Sequence, residues 1–129
     1  MANLDEFRAA GRTLFSFGLV REAEGNLSLL RGDTLWITRT GARLDDLSGD
    51  DVLAGGLQGE LPGASSDLEV HRKMYQAEGP GAVVHCHPAG TVPEGGGGSG
   101  AHGLYTFGSS LGEAVAAAVA AVREAAAAP

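Results

Sequence analysis

The chain of 129 residues contains a single cysteine, Cys86. No internal disulfide is therefore available, which fits a reducing compartment. The sequence also lacks an apolar run long enough to span a bilayer. Its opening, Met1-Ala2-Asn3-Leu4-Asp5-Glu6, has neither the basic start nor the apolar core of a signal peptide. We therefore expect a soluble, cytoplasmic protein with no membrane partner. Positive charge is scarce as well, with 9 Lys and Arg against 16 Asp and Glu and a formal net charge of -7. A surface that tracks a phosphate backbone carries a clustered Lys/Arg surplus, so nucleic acid is not an expected partner. A small phosphorylated ligand needs only local donors and stays open. The length fits one domain of roughly 100–150 residues, and residues 1–129 are read as a single unit.

Several elements are legible in what is present. Leu4, Phe7, Ala10, Leu14 and Phe15 recur at helical spacing, Asp5 and Glu6 stand early where the helix dipole favours anions, and Gly18 ends the helix. Leu27–Leu30 and Thr34–Thr38 are β-prone runs joined across Arg31-Gly32-Asp33, the composition of a hairpin turn. The stretch from Leu44 to Pro62 reads as loop with one strand. Ser66-Asp67-Leu68-Glu69 has capping-box spacing and predicts a helix to about Gln76, which Gly79-Pro80-Gly81 breaks before an Ala82-Val83-Val84 strand. Gly103–Phe107 reads as a further strand. Ser110-Leu111-Gly112-Glu113 repeats the capping pattern before an Ala-rich helix from Leu111 to about Ala127, poor in large apolar residues. Residues 94–100, Glu94-Gly95-Gly96-Gly97-Gly98-Ser99-Gly100, form a Gly-rich bridge with no side chains to bury.

The most informative stretch is Val83-Val84-His85-Cys86-His87-Pro88. Side chains alternate faces along a strand, so His85 and His87 point the same way while Cys86 points away as a small buried thiol. Two imidazoles converging from a strand end make half of a tetrahedral zinc-type site. His102, at the mouth of the next strand, and Asp67, on the first turn of the capped helix, are candidates for the other half. His71 shares the face of Asp67 one turn on, and is read as a helix residue packing on the sheet or hydrogen-bonding a neighbour.

Five segments in order carry a resemblance: Gly25-Asn26-Leu27-Ser28, Ile37-Thr38-Arg39-Thr40-Gly41, Ser65-Ser66-Asp67-Leu68 with His71, Val83 to Pro88, and His102-Gly103-Leu104. Together they resemble the class II aldolase/adducin family, over almost the whole chain. The resemblance implies a three-layer α/β/α sandwich with a central, mainly antiparallel sheet, reduced in size, and a homo-oligomer, a tetramer if family-like. It implies that His85, His87 and His102, with Asp67, hold Zn2+ or another divalent metal, and that Asp67 is also the catalytic proton-transfer group. It further implies that Gly25, Asn26, Thr40, Gly41, Ser65 and Ser66 cradle a substrate phosphate. Close backbone approach at Gly and neutral hydroxyl and amide donors suit a dianion.

The function so implied is a zinc-dependent lyase cleaving a small phosphorylated ketose by retro-aldol chemistry. Asp67 stands where the aldolases of the family have Glu and its epimerases have Asp, so a sugar-phosphate 4-epimerase is an alternative. The chain departs from the aldolase pattern in having Ala23-Glu24 before Gly25-Asn26, where a hydroxyl donor is replaced and an anion added. The Gly-rich bridge also stands where the family has further strands and subunit contacts, and the chain ends at Pro129. A metal site that forms better than it catalyses is therefore expected, with a non-catalytic family member as the other alternative.

Overall fold

The computed structural model describes residues 3–88 and 103–127, with side chains as far as 124. Helix α1 (Leu4–Ser16) comes first, followed by strands β1 (Asn26–Arg31), β2 (Thr34–Thr38) and β3 (Val52–Gly55). Helix α2 (Leu68–Glu78), strands β4 (Gly81–Cys86) and β5 (Leu104–Gly108), and helix α3 (Leu111–Ala127) complete the order. Two short 3-10 turns, Leu44–Asp46 and Gly49–Asp51, precede β3.

The five strands form one sheet in the order β3-β2-β1-β4-β5, every neighbouring pair antiparallel. Alternation along the strands gives the sheet two apolar faces. On one face Leu27, Leu29, Val84 and Cys86 pack with Phe7 and Leu14 of α1 and with Leu111, Ala114 and Ala118 of α3. On the other, Leu30, Leu35 and Val83 pack with Tyr75 of α2. The result is the three-layer α/β/α arrangement implied by the resemblance. β4 is buried along all six residues, because it lies inside the sheet with helices over both faces. Cys86 points to the α1/α3 side, away from the histidines, and burial pushes its thiol up to about 11.

Local chemistry explains the element ends. α1 closes in a Schellman arrangement, with Gly18 at φ 73, its N–H on Phe15 O and the Leu19 N–H on Leu14 O. Phe15, read as part of the apolar stripe, is instead 45% exposed, because the buried stripe of α1 is Phe7, Ala10, Gly11 and Leu14. The hairpin between β1 and β2 turns through Gly32 at φ 58, with Arg31 opposite Thr34. At α3, the Ser110 Oγ accepts from the Glu113 amide as the sequence predicts, while the Glu113 carboxylate reaches Ser109 N rather than Ser110 N.

The capping box expected at Ser66 is not formed. Asp67 is the N-cap residue of α2, and no side chain caps the helix. Ser65 closes the approach instead, its Oγ accepting from Asp67 N at 3.2 Å and its carbonyl from Leu68 N at 3.0 Å. Glu69, which the capping box would turn back, pairs with Arg72 at 3.2 Å. The physical reason is that Ser65 ties down the Asp67 and Leu68 amides so that the helix starts one residue later, and Arg72 takes the Glu69 carboxylate.

α1 rests on the first 3-10 turn through a glycine. A Cβ on Gly11 would stand 1.8 Å from the Leu44 carbonyl oxygen, so the two backbones are in direct contact. Gly49, by contrast, has nothing within 4 Å of an added Cβ. In chemical denaturation, Gly11→Ala is expected to lose about 3 kcal/mol, whereas Gly49→Ala stays within about 0.5 kcal/mol of the parent. Equal midpoints for the two variants would show that this contact is not tight.

Candidate metal and phosphate site

Register builds the site. Asn26 of β1 stands opposite His85 of β4, and His85 stands opposite Tyr105 of β5, so three polar side chains form one row across the sheet. All three face α2, whose first turn lies over the row. A Cβ on Gly25 would come within 2.6 Å of the His85 carbonyl oxygen and 2.9 Å of Val20. Gly25, at φ 79, therefore lets the start of β1 close against the end of β4.

His85 is 4% exposed, and its ring stacks on Tyr105 with centroids 4.0 Å apart. Its Nδ1 lies 3.2 Å from the Leu104 carbonyl oxygen. A carbonyl can only accept, so Nδ1 carries the proton, and in the neutral ring Nε2 is the basic nitrogen. That nitrogen lies 3.5 Å from Asp67 Oδ2. The His87 ring meets the His85 ring edge-on, with centroids 4.5 Å apart, and the His87 amide donates to Leu19 O at 2.9 Å.

Asp67 collects donors. Asn26 Nδ2 donates to its Oδ2 at 2.8 Å, and the Tyr105 hydroxyl also bonds the carboxylate. Burial opposes the negative charge, but the Asn26 hydrogen bond, the positive charge of His85 when its ring is protonated, and the Tyr105 hydrogen bond outweigh it and hold the carboxyl below the usual Asp range. Burial, together with the Asp67 charge, pushes Tyr105 up to about 12, so it remains a donor. Beneath these groups His71, 0% exposed, bonds Asn26 Oδ1 through Nε2 and Ser28 Oγ through Nδ1 at 2.6 Å. Ser28 Oγ in turn meets the Tyr75 hydroxyl at 2.7 Å.

The remaining candidates gather at the same end of the sheet. Thr40 N bonds Gly63 O at 2.9 Å, Ser65 N bonds Thr38 O at 3.1 Å, and Arg39 bridges Ala64, so the Thr40-Gly41 segment runs beside the approach to α2 that carries Ser65 and Ser66. The Leu27 amide donates to Thr38 Oγ1 at 3.2 Å and ties the start of β1 to the same cluster. Ser65 is buried, whereas Thr40, Gly41 and Ser66 are exposed and accessible to a ligand. Glu24, the added anion, is engaged locally, accepting from Arg21 N at 3.1 Å.

Of the four expected metal-holding groups, His85 faces Asp67 and the His87 ring lies beside that of His85; His102 and the Gly-rich bridge lie outside the described residues. Among the described residues, no three His, Cys, Asp or Glu side chains are grouped so that they could hold a metal ion. The donor chemistry nonetheless fits a zinc-type cation. Ligands about 2.0–2.1 Å from a tetrahedral zinc lie about 3.4 Å from each other, and His85 Nε2 and Asp67 Oδ2 are 3.5 Å apart. A ring nitrogen bound to a backbone carbonyl is the usual support for a metal-ligating histidine.

The model of the class II aldolase and adducin N-terminal domain matches residues 5–93. The chain belongs to that family. It is 34% identical over 88 residues to an L-fuculose phosphate aldolase of Methanococcus maripaludis, covering 66% of this chain and 49% of that protein. It is 39% identical over 89 residues to a 5-methylthioribulose-1-phosphate/5-deoxyribulose-1-phosphate aldolase of Rhodospirillum rubrum, covering 64% of this chain and 40% of that protein. The chain thus spans half or less of these curated relatives. Its fold matches the crystal structure of L-fuculose-1-phosphate aldolase from Thermus thermophilus with a TM-score of 0.83 at 23% identity, over 98% of this chain and 92% of that one.

Three residues of the cluster escaped the sequence reading: Ser28, Tyr75 and Tyr105. Period-two alternation already puts Ser28 on the face of Asn26, and helical spacing puts Tyr75 on that of Asp67 and His71. Tyr105 had no such signal, because its place depends on the register of β5 against β4.

His71 also gives the cluster a pH signature. Burial, opposed by Asp67 and assisted by His85, lowers its pKa to about 3, so between that value and its ordinary 6.5 the unfolded chain binds a proton that the folded chain refuses. Stability then falls as pH drops through this window, by at most about 1.4 kcal/mol per unit from this one group. Denaturant melts between pH 6.5 and 4 should show the slope, and His71→Gln should flatten it. An unchanged slope in the variant would mean that His71 titrates normally in the fold.

Proposed function

We propose that this chain is a divalent-metal-dependent sugar-phosphate lyase that cleaves a phosphorylated ketose by retro-aldol chemistry, with zinc as the expected ion. The carrying observation is the facing pair His85 Nε2 and Asp67 Oδ2, 3.5 Å apart, with the imidazole proton committed to Leu104 O on the far side of the ring. Two electron-pair donors held at that distance suit a shared cation. His87 beside them and His102 next along the chain complete the proposed set. When bound, such an ion supplies Lewis-acid polarisation of the substrate oxygens.

The residues of the chain do the rest. Asp67, kept ionised, takes the hydroxyl proton as the carbon-carbon bond opens to an aldehyde, and returns a proton to the carbon left behind. Gly25, Asn26, Thr40, Gly41, Ser65 and Ser66 hold the phosphate with backbone and neutral side-chain donors, fixing the reacting carbons over Asp67. His71, neutral and buried, adds no competing charge. The same reading makes residues 1–129 one unit that works in the cytoplasm as a homo-oligomer, a tetramer if family-like. The family membership and the aldolase names of the relatives support it.

Elemental analysis of the purified protein is expected to find about one zinc per chain, lost in a His85→Ala/His102→Ala variant. Aldehyde release from ketose phosphates should stop with a chelator and fall about 100-fold or more in Asp67→Asn. Zinc without turnover on any phosphorylated ketose would make the chain a non-catalytic member. Product interconversion without free aldehyde would make it an epimerase, the activity that Asp rather than Glu at position 67 favours. Absence of metal after zinc loading would sink the site.

A further inference from the structure

Asp67, His71 and Tyr75 are spaced by four along one face of α2, while Asn26 and Ser28 are spaced by two along one face of β1. Four helical residues advance about 6 Å and two strand residues about 6.8 Å, so a helix lying along a strand can interleave the two sets. The contacts do interleave: Tyr75 to Ser28, Ser28 to His71, His71 to Asn26, Asn26 to Asp67.

The direction of every link follows from its terminus. An ionised carboxylate only accepts, so Asn26 presents its NH2 group to Asp67 and its carbonyl to His71. His71 must then donate from Nε2. In the neutral ring Nδ1 is left without a proton and accepts from Ser28 Oγ. The one hydroxyl proton of Ser28 is thereby committed, so its oxygen accepts from the Tyr75 hydroxyl. The opposite polarity would set the Asn26 carbonyl against the carboxylate.

The geometry points to a one-way hydrogen-bond relay, Tyr75 to Ser28 to His71 to Asn26 to Asp67, in which Tyr75, Ser28 and His71 are positioning residues that lock the Asn26 amide and, through it, the Asp67 carboxylate. The consequence for Asp67 rests on the lyase reading above, whereas the polarity of the relay does not. Breaking a link lets the Asn26 amide turn over and leaves Asp67 free to swing from His85. Burial of His71 and Tyr75 keeps the ring neutral and the phenol protonated, the states the relay requires.

Two measurements on the full chain test this. Ring nitrogen NMR of 15N-labelled protein should report His71 as a single tautomer, protonated at Nε2 and bare at Nδ1. Competition with a chromophoric chelator should show Zn2+ affinity falling about 10-fold or more in Ser28→Ala, in the range lost when ligand-orienting partners are removed. Tyr75→Phe, which keeps the ring that packs on Phe107, should shift affinity in the same direction by less, and it carries the test alone if Ser28→Ala does not fold. A proton on Nδ1 would overturn the relay. So would variants that keep the parent tautomer and affinity and lose only thermal stability. If the parent binds no zinc, the lyase reading fails separately, and the relay stands or falls on the tautomer in the parent and on its loss of uniqueness in Ser28→Ala.

Discussion

The antiparallel register of β1, β4 and β5 is the constraint on which everything at the site depends. It sets Asn26, His85 and Tyr105 in one row. A slip of one residue in either pairing would turn a whole strand over, sending polar groups into the α1/α3 core and apolar ones under α2. The register is held from both faces, because Val84, Cys86, Leu27 and Leu29 fill one core while Val83, Leu30 and Tyr75 fill the other. The hydrophobic layers that stabilise the fold are thus the same contacts that aim the polar row, and Gly25 makes room for that row by letting the β1 backbone meet the His85 carbonyl.

Burying so many polar groups is tolerable only because each is matched. An unpaired buried donor or acceptor costs about 1–3 kcal/mol, and the Tyr75, Ser28, His71 and Asn26 groups satisfy one another in series. The single formal charge at the end of that series is Asp67, which is half-buried and stabilised by Asn26, His85 and Tyr105. Ser65 accepts from the Asp67 and Leu68 amides at the start of α2, while the Asp67 carboxylate turns to its tertiary partners rather than capping the helix.

Much of this fold was legible in the sequence, and the illegible parts have definite causes. The hairpin at Gly32, the buried strand through Ala82-Val83-Val84, the stop at Gly18 and the helix from Leu111 all rest on local patterns, and the structure has them there, with the strand running on to Cys86. The Ser66 capping box rested on local spacing too and failed, since Asp67 is the N-cap, Ser65 holds the first amides, and Arg72 takes the Glu69 carboxylate. His71 read as a residue hydrogen-bonding a neighbour, which it does. That its neighbours lead to Asp67 depends on α2 lying along β1, a relation between segments more than 40 residues apart in the chain. Asp67 and His85 lie 3.5 Å apart, and Tyr105 enters through strand pairing, which no motif encodes.

The arginines nearest the candidate phosphate segments sharpen the electrostatics. Arg39 is bound to Asp51 at 2.7 Å, Arg43 to Asp45 at 3.2 Å, and Arg21 lies 3.9 Å from Glu24. Each basic side chain beside Thr40, Gly41 or Gly25 is therefore already partnered with an acid, in a chain of formal net charge -7. Amides and hydroxyls can orient a dianion but do little to neutralise it at range. In the proposed reading, a divalent cation held by His85 and Asp67 would supply the compensating charge. Metal and phosphate would then support each other's binding, because the charge of the cation would offset that of both the Asp67 carboxylate and the phosphate.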